Sequence, residues 1–201
     1  MRREALVLGP AVVFSLAIMS WIIWSERPAP VTEAETTAAT ASAASAAPMP
    51  TVNHDRAAEL LTAVESNPED VTSLLALATL YFEAHSFEEA VPWYEKALAL
   101  SPDDVESSTN LGVSYFYAGS VDRAAAQFLH SLELAPDHAQ TLLSLGIVRA
   151  FGLDDLDGAK EAWERVIEVA PDSNQATAAR EALTRVVAEL EAAGGAVTVP
   201  Q

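Results

Sequence analysis

The chain has 201 residues, a formal net charge of −18 and no cysteine. Without cysteine there is no disulfide framework, thiolate metal ligand, cysteine nucleophile or CxxCH haem attachment. The acid excess lies downstream, with 25 of 29 carboxylates and 8 of 11 cations from Thr51 onward. Such a surface repels nucleic-acid phosphates and anionic headgroups; a solvated acidic shell accounts for it, with attraction of a basic partner as the alternative.

The first element is an uncharged apolar run of twenty residues, Ala5 to Trp24. As a helix it is roughly 30 Å long, the thickness of a bilayer's hydrocarbon core. Arg2 and Arg3 precede it, which places the amino terminus in the cytoplasm and the rest of the chain outside. Trp21 and Trp24 mark the outer interface, and Pro10 stands one turn into the span, where membrane helices tolerate it. A cleaved signal peptide is the competing reading. The length of the run and the Ser25-Glu26-Arg27-Pro28 that follows favour an uncleaved signal anchor over residues 1–24.

Residues 25–51 are rich in Ala, Thr, Ser and Pro and lack the apolar content to form a core. They read as a flexible linker with a reach of about 30 Å.

Beyond the linker, four turns recur: Asn67-Pro68-Glu69-Asp70, Ser101-Pro102-Asp103-Asp104, Ala135-Pro136-Asp137-His138 and Ala170-Pro171-Asp172-Ser173. Their prolines are 34, 34 and 35 residues apart, the period of stacked helix-turn-helix units. Between the turns stand Leu74, Leu77, Ala78, Tyr81, Ala90, Tyr94 and Ala97, then Leu111, Gly112, Tyr115, Ala124, Phe128 and Ser131, then Leu142, Leu145, Gly146, Ala159, Trp163 and Val166. On these residues the sequence resembles the tetratricopeptide repeat (TPR) family over about residues 53 to 191. It departs from the pattern at Ser108, where a large residue is usual, at Arg149, where an aromatic is usual, and by one inserted residue in Gly152–Gly158.

The resemblance implies an all-α solenoid over 52–192, with repeats at 71–104, 105–138 and 139–173, a capping helix at 173–192 and a disordered tail at 193–201. Small residues at Ala78, Gly112 and Gly146 let paired helices approach, while neighbouring hairpins bury each other's remaining face. Asp55–Ser66 reads as a lone second helix at the front. In the closing helix Ala176, Ala179, Leu183, Val187 and Leu190 share one face. Ser86-Phe87-Glu88-Glu89 has capping-box spacing, and Gly119 sits where a helix should stop.

By resemblance, the first helix of each repeat lines a concave groove. Its facing positions include Leu75, Thr79 and Phe82; Thr109, Val113, Phe116 and Tyr117; and Leu143, Ile147 and Phe151. No Lys or Arg falls on the groove positions, which argues against a clamp for carboxy-terminal carboxylates and for an amphipathic helix or apolar peptide as client. Inter-repeat packing is the alternative use of the same side chains.

No catalytic constellation accompanies the repeats, so neither an enzyme nor a cofactor is expected. His54, His85, His130 and His138 lack metal-ligand spacing. Asp154, Asp155 and Asp157 lack that of a calcium loop and read as a solvated turn. The expectation is a non-catalytic scaffold or chaperone-like adaptor, single-pass in a bacterial inner membrane with its TPR domain periplasmic. It would bind a protein client, not nucleic acid, and could belong to a multi-subunit membrane complex. One anchor before a short TPR domain is also similar in layout to the TPR subunit of cytochrome c haem-lyase complexes, which implies cytochrome c biogenesis as a specific alternative. Translocon-associated or envelope-assembly TPR proteins share the outline.

Overall fold

The computed structural model describes residues 50–194. These form eight α-helices and no strand: α1 (His54–Ser66), α2 (Val71–Glu83), α3 (Phe87–Leu100), α4 (Val105–Tyr117), α5 (Val121–Leu134), α6 (Ala139–Gly152), α7 (Leu156–Val169) and α8 (Asn174–Gly194). The anchor expected at 1–24, most of the linker and residues 195–201 lie outside the described residues. No helix among those described is long and apolar enough to cross a membrane.

Short polar residues start most of these helices. Asn53, Asp70, Asp104 and Asp155 each accept a hydrogen bond from a first-turn amide, and Ser173 Oγ accepts from Ala176 N at 3.0 Å. Ser86 occupies the N-cap of α3, but its hydroxyl makes no capping bond. Its ψ of 64° matches the 65° of Ser120, which also makes none, whereas Asn53, Asp70 and Asp104 have ψ of 92–96°. The short serine side chain does not reach the amides from that backbone.

The turns at the carboxy ends of α2, α4 and α6 share one device. His85 (φ 58°), Gly119 (φ 77°) and Asp154 (φ 56°) hold the left-handed conformation at equivalent points of the period. Ser86 N donates to Tyr81 O at 2.9 Å and Ser120 N to Tyr115 O at 2.8 Å, closing the wide loop that ends a helix on a left-handed residue. In the third turn Asp155 N donates to Arg149 O at 2.8 Å, which accommodates the inserted residue. The Arg149 guanidinium donates to Gly158 O at 3.0 Å and lies 3.7 Å from the Asp155 carboxylate. The cation that replaces an aromatic thus ties the lengthened loop to the start of α7.

Each helix packs on its chain neighbour, and α2, α4, α6 and α8 also touch in succession. The backbones of the outer helices α3, α5 and α7 stay apart, with the exposed Glu95–Arg123 pair bridging α3 and α5. Crowding on one side and splay on the other curves the stack, so α2, α4, α6 and α8 line the concave side.

The close approaches rest on glycine. A Cβ at Gly112 would lie 2.6 Å from Phe128, and one at Gly146 would lie 2.2 Å from Trp163 Nε1, both rings being fully buried. Ser108 is buried without the expected large side chain; its hydroxyl meets Gln127 Nε2 and Ser131 Oγ, each at 2.7 Å, so a satisfied polar cluster joins α4 to α5.

Polar faces close both ends. Arg56 pairs with Glu59 on the outside of α1, and Thr177, Arg180, Glu181 and Thr184 are exposed on α8. The apolar face of α8 is rotated from the expected one: Ala176, Ala178, Ala179, Ala182 and Val186 are buried, whereas Val187 remains 40% exposed. This helix extends eight residues beyond the thirteen of α4, and no outer helix follows among the described residues to cover that stretch.

Candidate protein-binding surface

The ten groove residues divide by neighbourhood. Phe82, Thr109, Val113, Leu143 and Ile147 are buried, so they belong to the packing of the stack and present no contact surface. The reason is the number of concave-side neighbours. Helix α6 lies between α4 and α8, and α4 between α2 and α6, so residues that would face a client face another helix. Helix α2 has such a neighbour on one side only, which leaves Leu75 and Thr79 half-buried. Phe116 and Tyr117 are half-buried and Phe151 is 37% exposed.

What remains accessible is polar at one edge, where His138, Glu106, Gln140 and Gln175 lie around a buried Thr109–Thr141 pair, and aromatic at the other. At the amino ends of the concave helices, Thr109 Oγ1 donates to Val105 O at 2.8 Å and lies 2.6 Å from Thr141 Oγ1. With its proton committed to the carbonyl, Thr109 accepts from Thr141, and His138 Nδ1, 2.6 Å from Thr141 Oγ1, donates in turn. His138 Nε2 reaches Glu106 at 3.1 Å. Gln175 donates to Gln140 at 3.2 Å, extending the polar strip from α6 to α8.

At the carboxy ends, aromatic rings run from turn to turn. His85 stacks on Phe87 (5.6 Å between centroids), Phe87 on Tyr117 (4.4 Å), and Phe116 meets Tyr117 edge-on at 5.6 Å. Phe82, whose ring lies 5.4 Å from Phe87 and 6.2 Å from Tyr94, roots this ladder in the core. Beyond it, a Cβ at Gly152 would lie 3.3 Å from Phe116, and its neighbours Phe151 and Leu153 are 37% and 41% exposed. His85, Phe87 and Leu153 were not among the residues expected from the sequence. They lie on the turns, outside the concave helical positions, and an aromatic or leucine beside each turn was their only signal.

Burial sets the ionisation of the tyrosines. The Tyr94 phenol is pushed up to about 12 by burial, against the weaker opposing effect of its bond with Thr79. Burial also raises Tyr117 and Tyr115, the latter helped by its 2.6 Å bond to Glu95. Arg123 donates to both Glu95 and the Tyr115 hydroxyl at 2.6 Å and lies 4.0 Å over the Tyr115 ring. The cation is therefore committed within the stack.

The geometry defines a curved stack of helical hairpins with a partly open inner face, a class of interaction scaffold. Residues 53–105 and 140–173 match tetratricopeptide repeat family models, and the chain carries these repeats in an all-α TPR solenoid. No curated protein matches it. Among solved structures, it is similar to the first TPR of Spaghetti (RPAP3) bound to the HSP90 peptide SRMEEVD, at 24% identity and TM-score 0.55 over 60% of this chain and 93% of that one. The first TPR domain of human RPAP3 is 25% identical, TM-score 0.55, over 62% and 98%. The Sgt2 TPR domain from Aspergillus fumigatus is 22% identical, TM-score 0.58, over 66% and 86%. At these identities the likeness is one of fold.

Proposed function

We propose that the chain is a non-catalytic adaptor, tethered to a bacterial inner membrane by residues 1–24 and a linker, that binds a protein client on the concave side of its TPR stack. The observation that carries this reading is the accessible aromatic edge: Phe116, Tyr117 and Phe151 stay partly open, as do Leu75 and Thr79, while the other five expected groove residues are consumed by packing. A structurally similar RPAP3 domain holds the acidic HSP90 peptide SRMEEVD. Such a peptide fits this chain poorly, because exposed Glu83 and Glu106 border the face and neither Lys nor Arg stands at its groove positions.

The test is site-specific photo-crosslinking of the full-length chain in native membranes. A photoreactive side chain at Phe151 should give a discrete client adduct, while one at Leu129, 46% exposed on the outer helix α5, should give none. Adducts from Leu129 alone would move binding to the outer face. Identification of the adduct separates apocytochrome c from a translocated or envelope-assembly client. A mature amino terminus near residue 40, or release of the chain from membranes by alkaline carbonate, would overturn the tether.

A further inference from the structure

The aromatic edge extends past the concave face onto the turns that follow α2, α4 and α6, which the alternation of antiparallel helices places along one rim of the stack. His85, Phe87, Tyr117 and Phe116 form a connected ladder of half-buried rings there, and exposed Phe151 and Leu153 stand at its end. The exposed carboxylates on these turns and the helix starts beside them are Glu83, Glu88, Glu89, Asp122, Asp154 and Asp157. The rim's two arginines are engaged: Arg123 by Glu95 and Tyr115, Arg149 by Asp155 and the Gly158 carbonyl. Apolar ring edges framed by negative charge favour a partner that brings both cations and an apolar face.

We infer that this rim docks a basic amphipathic segment of the client, with arginine or lysine side chains on the carboxylates and an apolar face against the ring edges, Phe151 and Leu153. The inference rests on the adaptor reading and adds to it the partner's chemistry and a surface outside the concave helices. Charge decides between occupants. A second copy of this chain carries −18 and an anionic bilayer is likewise negative, so both are repelled.

The probe is a helical peptide with arginine on one face and leucine on the other, compared with the same peptide carrying glutamate for arginine. Each is titrated by fluorescence anisotropy against the full-length chain in phosphatidylcholine nanodiscs, with empty discs subtracted. The arginine peptide should bind, more weakly as salt rises, and the glutamate peptide should not. Combining Phe151→Ser with Leu153→Ser should weaken binding about tenfold. Both residues are exposed, so the fold should persist, as circular dichroism would verify. Asp154→Asn with Asp157→Asn should flatten the salt dependence. Equal binding of both peptides, no binding of the arginine peptide, or undiminished binding by the double-serine variant would overturn the inference. A Phe151 crosslink to an acidic or uncharged client segment, with the arginine peptide silent, defeats this inference and leaves the adaptor intact; loss of all crosslinks defeats the adaptor.

Discussion

Gly146→Ala adds a single methyl to α6 at its tightest contact. The new carbon would lie 2.2 Å from Trp163 Nε1, 2.6 Å from Cδ1 and 2.7 Å from Cε2, where carbon contacts are comfortable at about 3.5–4 Å. Trp163 is fully buried, so its ring has no free space to retreat into, and its Nε1 donates to Leu143 O at 3.2 Å. Overpacking costs about 1–3 kcal/mol, and an orphaned buried donor about 1–3 kcal/mol more. Alanine's better helix propensity returns about 1 kcal/mol. The net loss is about 3 kcal/mol, which for a domain of this size lowers Tm by roughly 10 °C. Gly112→Ala serves as the internal control. Its Cβ meets the Phe128 ring at 2.6–3.0 Å, but that ring has no hydrogen bond to lose, so the net cost should be about 1 kcal/mol. Thermal melts of both full-length variants, followed by circular dichroism at the helical band, test the ordering. A Gly146→Ala variant that melts with the wild type, or above Gly112→Ala, would refute the reasoning.

Three further outcomes follow from local geometry. Tyr94 rises from an ordinary value of 10.0 to about 12 in the fold, so the unfolded chain loses that proton first as pH climbs. Its contribution is intact below pH 10 and falls between 10 and 12 by about 1.4 kcal/mol per pH unit; urea titrations across that window should show a shallower decline for Tyr94→Phe. Gly119→Ala meets no atom within 4 Å but must hold φ 77°, so it should lower stability by about 1 kcal/mol in the same assay. Arg149→Ala removes the tie between the lengthened turn and α7, and hydrogen exchange of the first α7 amides should accelerate while those of α4 stay unchanged.

Much of the fold was legible because repeat architecture is written in local spacing. The recurrent proline-acid turns, the small residues at Ala78, Gly112 and Gly146, and the large partners Phe128 and Trp163 mark which helices pair and where they come closest. Arg149 shows the boundary of that legibility. Its departure from the repeat was visible, but its bond to Gly158 O depends on the path of an inserted loop, which spacing does not specify.

The binding surface was less legible, and the reason is physical. Position within a repeat says which side of a helix a residue occupies, and that much the sequence by itself determined for Leu75, Thr79, Phe116 and Phe151. Whether the side is open depends on neighbours far along the chain. Thr109 is closed off where its hydroxyl meets that of Thr141, on a different repeat. Only the stacked structure decided that Val113, Leu143 and Ile147 became core while rings on the connecting turns stayed within reach of a partner, because burial sums over every helix that packs alongside and a one-dimensional pattern contains only the nearest.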